Sequence, residues 1–132
     1  MSQQQATLAI IIVNWNVRDL LRDCLRAIAS SEGIADESVE TIVVDNDSAD
    51  DSAAMVRAEF PWARLIESGA NLGFADGCQR GYEETAAPFV MLLNPDTVVD
   101  GDAIASMLAT IRSDERIGVL GSRLRNTDGS FQ

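Results

Sequence analysis

Three short apolar runs in this chain each stop at a polar cluster built from asparagine and aspartate. Thr7 to Val13 (TLAIIIV) runs into Asn14-Trp15-Asn16, Glu40 to Val44 (ETIVV) into Asp45-Asn46-Asp47-Ser48, and Phe89 to Leu93 (FVMLL) into Asn94-Pro95-Asp96. Runs this short and apolar, two of them rich in β-branched residues, read as strands buried on both faces, the habit of a parallel sheet. In the third, proline has no N–H for a ladder and asparagine favours turns, so Asp96 is left at the carboxyl end of a mid-sheet strand. A plainer reading makes Asn-Pro-Asp-Thr only a turn that caps the next helix. Open α/β sheets, however, carry their ligand crevices at these strand ends.

Helical patterns separate the runs. Arg18 to Ser30 places Leu20, Leu21, Cys24, Leu25 and Ile28 at helical spacing, with Gly33 just beyond. Ala49 to Phe60 forms the next helix; Asp50 and Asp51 suit its positive end, and Pro61 stops it. A short third strand, Ala63 to Glu67, precedes the loop Ser68 to Gly73. The helix Phe74 to Glu84 follows, with Phe74, Cys78 and Tyr82 as its apolar stripe and Gly77 and Gly81 weakening it. Asp102 to Ser113 has a clear apolar face, Ile117 to Leu120 reads as a fifth strand, and Ser122 to Arg125 as a further short one. Asn126-Thr127-Asp128-Gly129 is a turn signal, the start of a hairpin expected to continue in a longer parent protein. The alternation predicts an α/β fold, a mostly parallel sheet with helices on both faces, over a single domain spanning 1–132.

Composition removes several function classes. A formal charge of −11 argues against binding a nucleic-acid backbone, and the absence of histidine removes Ser-His-Asp, Cys-His and His-ligated zinc chemistry. Cys24 and Cys78 read as small buried apolar residues of a reducing compartment. Met-Ser-Gln-Gln-Gln lacks the basic start of a signal peptide, and no apolar run reaches about 18 residues. The expected location is cytoplasmic, at the inner face of the membrane if further sequence attaches it there.

In a parallel sheet the three strand-end clusters and the loop Asn71-Leu72-Gly73 share one edge. Asp45 and Asn46 offer a carboxylate and an amide for a base edge or ribose, and the Trp15 indole a face for stacking. Gly73 permits close backbone approach at a helix N-terminus, where N–H groups favour phosphate. Asp96 supplies the hard oxygen that Mg²⁺ or Mn²⁺ prefers, with substrate phosphates completing the shell.

The ordered set IIVNWN, TIVVDNDSADDS, NLGFADGCQRGYE and VMLLNPDTVV resembles glycosyltransferase family 2, within it the bacterial rhamnosyltransferase-like branch that elongates cell-surface polysaccharides. The resemblance spans Ala6 to Gln132. It implies a GT-A fold, a nucleotide-sugar donor (dTDP- or UDP-sugar, rhamnose by branch), a saccharide or lipid-linked acceptor, a divalent cation and usually inversion. Asn14, Trp15 and Asn16 match the family's nucleotide-flanking segment, Asp45 and Asn46 its base-contacting pair, and Asn71 and Gly73 its donor loop. Asn94, Pro95 and Asp96 occupy the place of its Asp-X-Asp motif, with Asp96 as the metal ligand. Asn94 stands for the motif's first carboxylate, and Cys78-Gln79 where relatives often have asparagine.

An inverting enzyme needs a general base for the acceptor hydroxyl. In the family it lies in an acidic motif downstream, so it is expected beyond Gln132, and this chain is expected to bind nucleotide weakly without turnover. An exposed sheet edge would let two copies pair as a homodimer. The alternative is a non-catalytic nucleotide-binding or scaffolding α/β domain. A receiver-type signalling domain lacks its acidic pair and its lysine here, and a dinucleotide oxidoreductase lacks Gly-X-Gly-X-X-Gly after the first strand.

Overall fold

The computed structural model describes residues 4–132; Met1 to Gln3, on which part of the signal-peptide reading rests, lie outside them. Its elements run β1 (Leu8–Asn14), α1 (Arg18–Ala29), β2 (Val39–Asp45), α2 (Ser52–Glu59), β3 (Arg64–Glu67), α3 (Gly73–Tyr82), β4 (Phe89–Leu92) and α4 (Ala103–Arg112). The strands lie in the order β3-β2-β1-β4, every pair parallel. No helix among the described residues is long and apolar enough to cross a membrane.

Period-two alternation along the strands feeds two cores. Leu8, Ile10, Ile12 and Val43 pack with Leu21, Cys24, Leu25 and Ile28 of α1, Met55 and Val56 of α2, and Ile104 of α4. Each fully buried aliphatic side chain in such a layer contributes about 1.5–3 kcal/mol. The other face carries Ile42, Val44 and Ile66 and is covered by α3. There the glycines are the reason for contact: a Cβ on Gly77 would come within 2.7 Å of Val13 Cγ1, and one on Gly81 within 2.7 Å of Ile11 Cγ2. Helix propensity is given up so that α3 can sit on the sheet.

Four expectations need correction. The buried stripe of α3 is Gly77, Cys78 and Gly81; Phe74 and Tyr82 face solvent, because close packing favours the glycine side. β4 is an edge strand, half-buried, with β1 as its ladder partner and Leu92 exposed. Residues 117–120 form no strand: Gly118 and Gly121 dilute a very short run, and Val119 is 90% exposed. Past it, the Asn126–Gly129 turn is present and is closed by an isolated antiparallel bridge between Arg125 and Phe131. Leu20, counted in the apolar face of α1, is also exposed.

Candidate functional site

Parallel register brings Asn14 and Asp45 to the same level at the ends of β1 and β2. Both are buried, and Asn14 Nδ2 donates to Asp45 Oδ1 at 2.9 Å. Ser48 closes the cluster. Its hydroxyl donates to Asp45 Oδ1 (2.7 Å) and accepts from Asn14 Nδ2 (3.2 Å) and from the Asn16 N–H (2.9 Å), while its own N–H reaches Asp45 Oδ2 (3.0 Å). Asn16, at φ +53°, accepts from the Ala49 N–H at 2.7 Å. The loops after β1 and β2 are thus laced together beyond the strands that carry them.

Asn46 forms the next layer. Its N–H donates to the Asn14 carbonyl, and its Nδ2 donates to the Gly73 carbonyl at 2.9 Å. A carbonyl only accepts, so the amide group of Asn46 faces Gly73 and its Oδ1 turns toward the Ser68 hydroxyl, 3.2 Å away. Asn71 is exposed and closes a local turn, its Oδ1 accepting from the Gly73 N–H at 3.0 Å. Gly73 is required for its φ of +79°; a Cβ there would meet nothing within 4 Å.

A third wall comes from the chain leaving β4. The Leu93 N–H still donates to Ile11, and Asn94 then opens a turn closed by the Thr97 N–H (3.1 Å), with Pro95 and Asp96 at its tip. Beneath it, the Cys24 thiol lies 3.8 Å from the Asn94 carbonyl. Burial, with a smaller contribution from the Asp96 carboxylate, pushes that thiol up to about 12.

A cleft of about 430 Å³ gathers Val13, Trp15, Val17, Leu20, Asn46, Asn71, Gly73, Phe74, Asn94, Pro95 and Asp96. It therefore unites Trp15, Asn46, Asn71, Gly73, Asn94, Pro95 and Asp96 of the anticipated positions, and Trp15 stands in it 54% exposed rather than packed away. Asn14, Asn16 and Asp45 are not in its lining. Asp45 is only 4% exposed and both its oxygens are engaged, so its visible role is to order the strand ends. Sequence reasoning passed over Ser48, Ser68, Phe74 and the anchoring role of Asp50, which accepts from the Arg18 N–H at 2.8 Å. Their signal was present but ordinary: serines and aspartates in a turn, and one aromatic at helical spacing.

No cluster of three or more carboxylates or thiols that could hold a metal occurs among the described residues. The cleft offers one exposed carboxylate, Asp96, beside the Asn94 amide, and no arginine or lysine. Such a hard-oxygen set fits Mg²⁺ or Mn²⁺ when a ligand's phosphates supply further oxygens.

The glycosyl transferase family 2 profile matches residues 9–132. The chain belongs to glycosyltransferase family 2. Among curated relatives, the poly-β-1,6-N-acetyl-D-glucosamine synthase of Staphylococcus epidermidis is 26% identical over 94% of this chain and 30% of its own length. The N-acetylglucosaminyl-diphospho-decaprenol L-rhamnosyltransferase of Mycobacterium tuberculosis is 28% identical over 80% of this chain and 38% of its own. The chain thus spans about a third of the length of these relatives. Among solved structures, the mannosyltransferase PcManGT from Pyrobaculum calidifontis, in complex with GDP-Man and Mn²⁺, superposes with a TM-score of 0.73 at 20% identity, over 94% of this chain and 37% of that one. S. aureus TarS in complex with UDP gives 0.73 at 16%, over 91% and 40%. This family 2 member has the GT-A fold of those glycosyltransferases.

Proposed function

We propose that the chain is the donor-binding part of an enzyme that transfers a sugar from a nucleotide diphosphate to a saccharide or lipid-linked acceptor in cell-surface polysaccharide synthesis, with inversion. The observation that carries this reading is the convergence of Trp15, Asn46 and Asp96 on one cleft that contains no cationic side chain. The exposed indole face suits a nucleobase, and the buried Asn46 amide holds the floor beneath it to Gly73 and Ser68. A diphosphate in the same cleft meets a chain of charge −11, so a cation has to accompany it.

Asp96, with Asn94 beside it, is the residue that would hold Mg²⁺ or Mn²⁺. When bound, the ion would neutralise the diphosphate and favour departure of the nucleotide. Asp45, Asn14 and Ser48 keep the Asn46 strand end and the Trp15 turn in fixed relation, and the Gly73 carbonyl tethers Asn46 to α3. A dTDP- or UDP-linked sugar, with rhamnose as the branch suggests, is the donor in this reading, and the cytoplasmic side of the membrane is where it works. In this reading the acceptor's general base would come from outside these 132 residues, which alone are expected to bind donor without turnover.

Calorimetric titration of UDP and dTDP, with and without Mn²⁺, tests the reading. Metal-dependent binding that disappears in Asp96→Ala supports it, and metal-independent binding of either nucleotide, or binding of neither, rejects it. Release of labelled sugar onto an acceptor by this chain would overturn the expectation of no turnover.

A further inference from the structure

Phe74 is out of place for a residue of an amphipathic helix. The buried stripe of α3 is Gly77, Cys78 and Gly81, which leaves the phenyl ring 56% exposed. It is not scattered apolar surface, because it lines the same cleft as Trp15 and Asn46. Topology sets those three in order. Trp15 follows β1, Asn46 follows the neighbouring β2, and Phe74 begins the helix that follows β3, next in the sheet. Asn46 therefore lies between two exposed aromatic side chains supplied by different elements. The rings are not packed on each other: among the described residues the aromatic pair in contact is Phe60 and Trp62.

We propose that Phe74 is an aromatic wall of the nucleobase site, giving a ring face to a base seated in the cleft above the buried Asn46. The inference rests on the donor-site reading above. Gly73 aims the residue, since its left-handed backbone turns the chain into α3 immediately before the ring. The tether from Asn46 Nδ2 to the Gly73 carbonyl then fixes the base of that wall to the end of β2. Stacking a base on an aromatic ring is tolerant of base identity, so Phe74 would add affinity for the nucleotide rather than choose among bases.

The test is titration of UDP with Mn²⁺ into the wild-type chain and into Phe74→Ala, Phe74→Leu and Phe74→Tyr, with Asp96→Ala as the control for the metal end. An exposed ring leaves little for the fold to lose, so all three variants should melt as the wild type does. Loss of stacking should weaken UDP binding about tenfold in the alanine and leucine variants, while tyrosine retains it. Leucine binding as well as phenylalanine would show that apolar bulk suffices and overturn the proposal. Wild-type affinity in all three variants, with Asp96→Ala still defective, would overturn it while the donor-site reading stands. No UDP binding by the wild type would overturn both.

Discussion

Asn14 and Asp45 face each other in register at the ends of β1 and β2, both buried, joined by a 2.9 Å hydrogen bond from amide to carboxylate. The pair is sensitive to charge. Asn14→Asp would set a second carboxylate against Asp45 where water cannot screen it, and should destabilise the fold by about 3 kcal/mol or more at neutral pH. Urea unfolding at pH 7 measures it beside Asn14→Leu, which is of similar size and uncharged. Equal defects in the two variants would mean that packing and the lost hydrogen bond, and not charge, are at fault.

Ser48 is the hub through which the Trp15 turn is tied to β2. Removing its hydroxyl leaves the Asn16 N–H and the Asn14 amide short of an acceptor. Ser48→Ala should cost about 1–2 kcal/mol, and Ser48→Thr should recover most of it. In a Trp62→Phe background, Trp15 fluorescence anisotropy should fall in the alanine variant and return in the threonine one. A stability loss without greater Trp15 mobility would restrict Ser48 to holding Asp45.

Gly81 tests why α3 tolerates glycine at all. In an exposed helix, Gly→Ala gains about 1 kcal/mol. Here the new methyl would press on Ile11 and Val44, and overpacking of that kind costs about 1–3 kcal/mol. Gly81→Ala should therefore be neutral to destabilising in thermal melts, and a clear rise in Tm would show that the sheet yields at Ile11.

The strand ends were legible because their signal is local: an apolar run, then Asn or Asp, fixes both the strand and its carboxyl end. The alternation of strand and helix likewise gave a parallel sheet. Phe74, Cys78 and Tyr82 misled because helical spacing alone names no buried side; Gly77 and Gly81 decided it through contacts with β1 and β2 that are distant in sequence. Residues 117–120 resembled a strand locally, but a strand exists only with a ladder partner. Asp45 reads from sequence as a ligand group because nothing local reveals that Ser48 and Asn14 occupy both its oxygens.

Asp50 gives the fold an acid-sensitive joint between α1 and α2. Burial alone would raise its carboxyl, but the Ser52 hydroxyl and the N–H groups of Arg18 and Ser52 outweigh that and hold it below the ordinary aspartate value. A carboxyl lowered in the folded state stabilises fully above its unfolded value, and the contribution is lost as pH falls through the folded one. Asp50→Asn should thus reduce stability at pH 7 by about 1–2 kcal/mol, with the gap to wild type narrowing below the ordinary carboxylate range. A gap that stays constant into strong acid would remove ionisation from the account.

Metal removal separates the two ends of the cleft. Its lining holds no arginine or lysine, so a diphosphate has only a cation and local N–H groups to oppose the chain's negative field. The base end, in contrast, relies on the exposed rings of Trp15 and Phe74, and neither changes when a metal leaves. EDTA should therefore weaken UDP binding at least about tenfold, a coupling near 1.4 kcal/mol, and leave the weak binding of uridine unaltered. Asp96→Asn should reproduce the EDTA result for both ligands. It should do so without lowering the melting temperature, since Asp96 is exposed at the tip of its turn. Saturation-transfer NMR detects uridine at millimolar affinity. If uridine binding also collapsed with EDTA, the cation would be ordering the whole cleft, and the division between base end and phosphate end would be wrong.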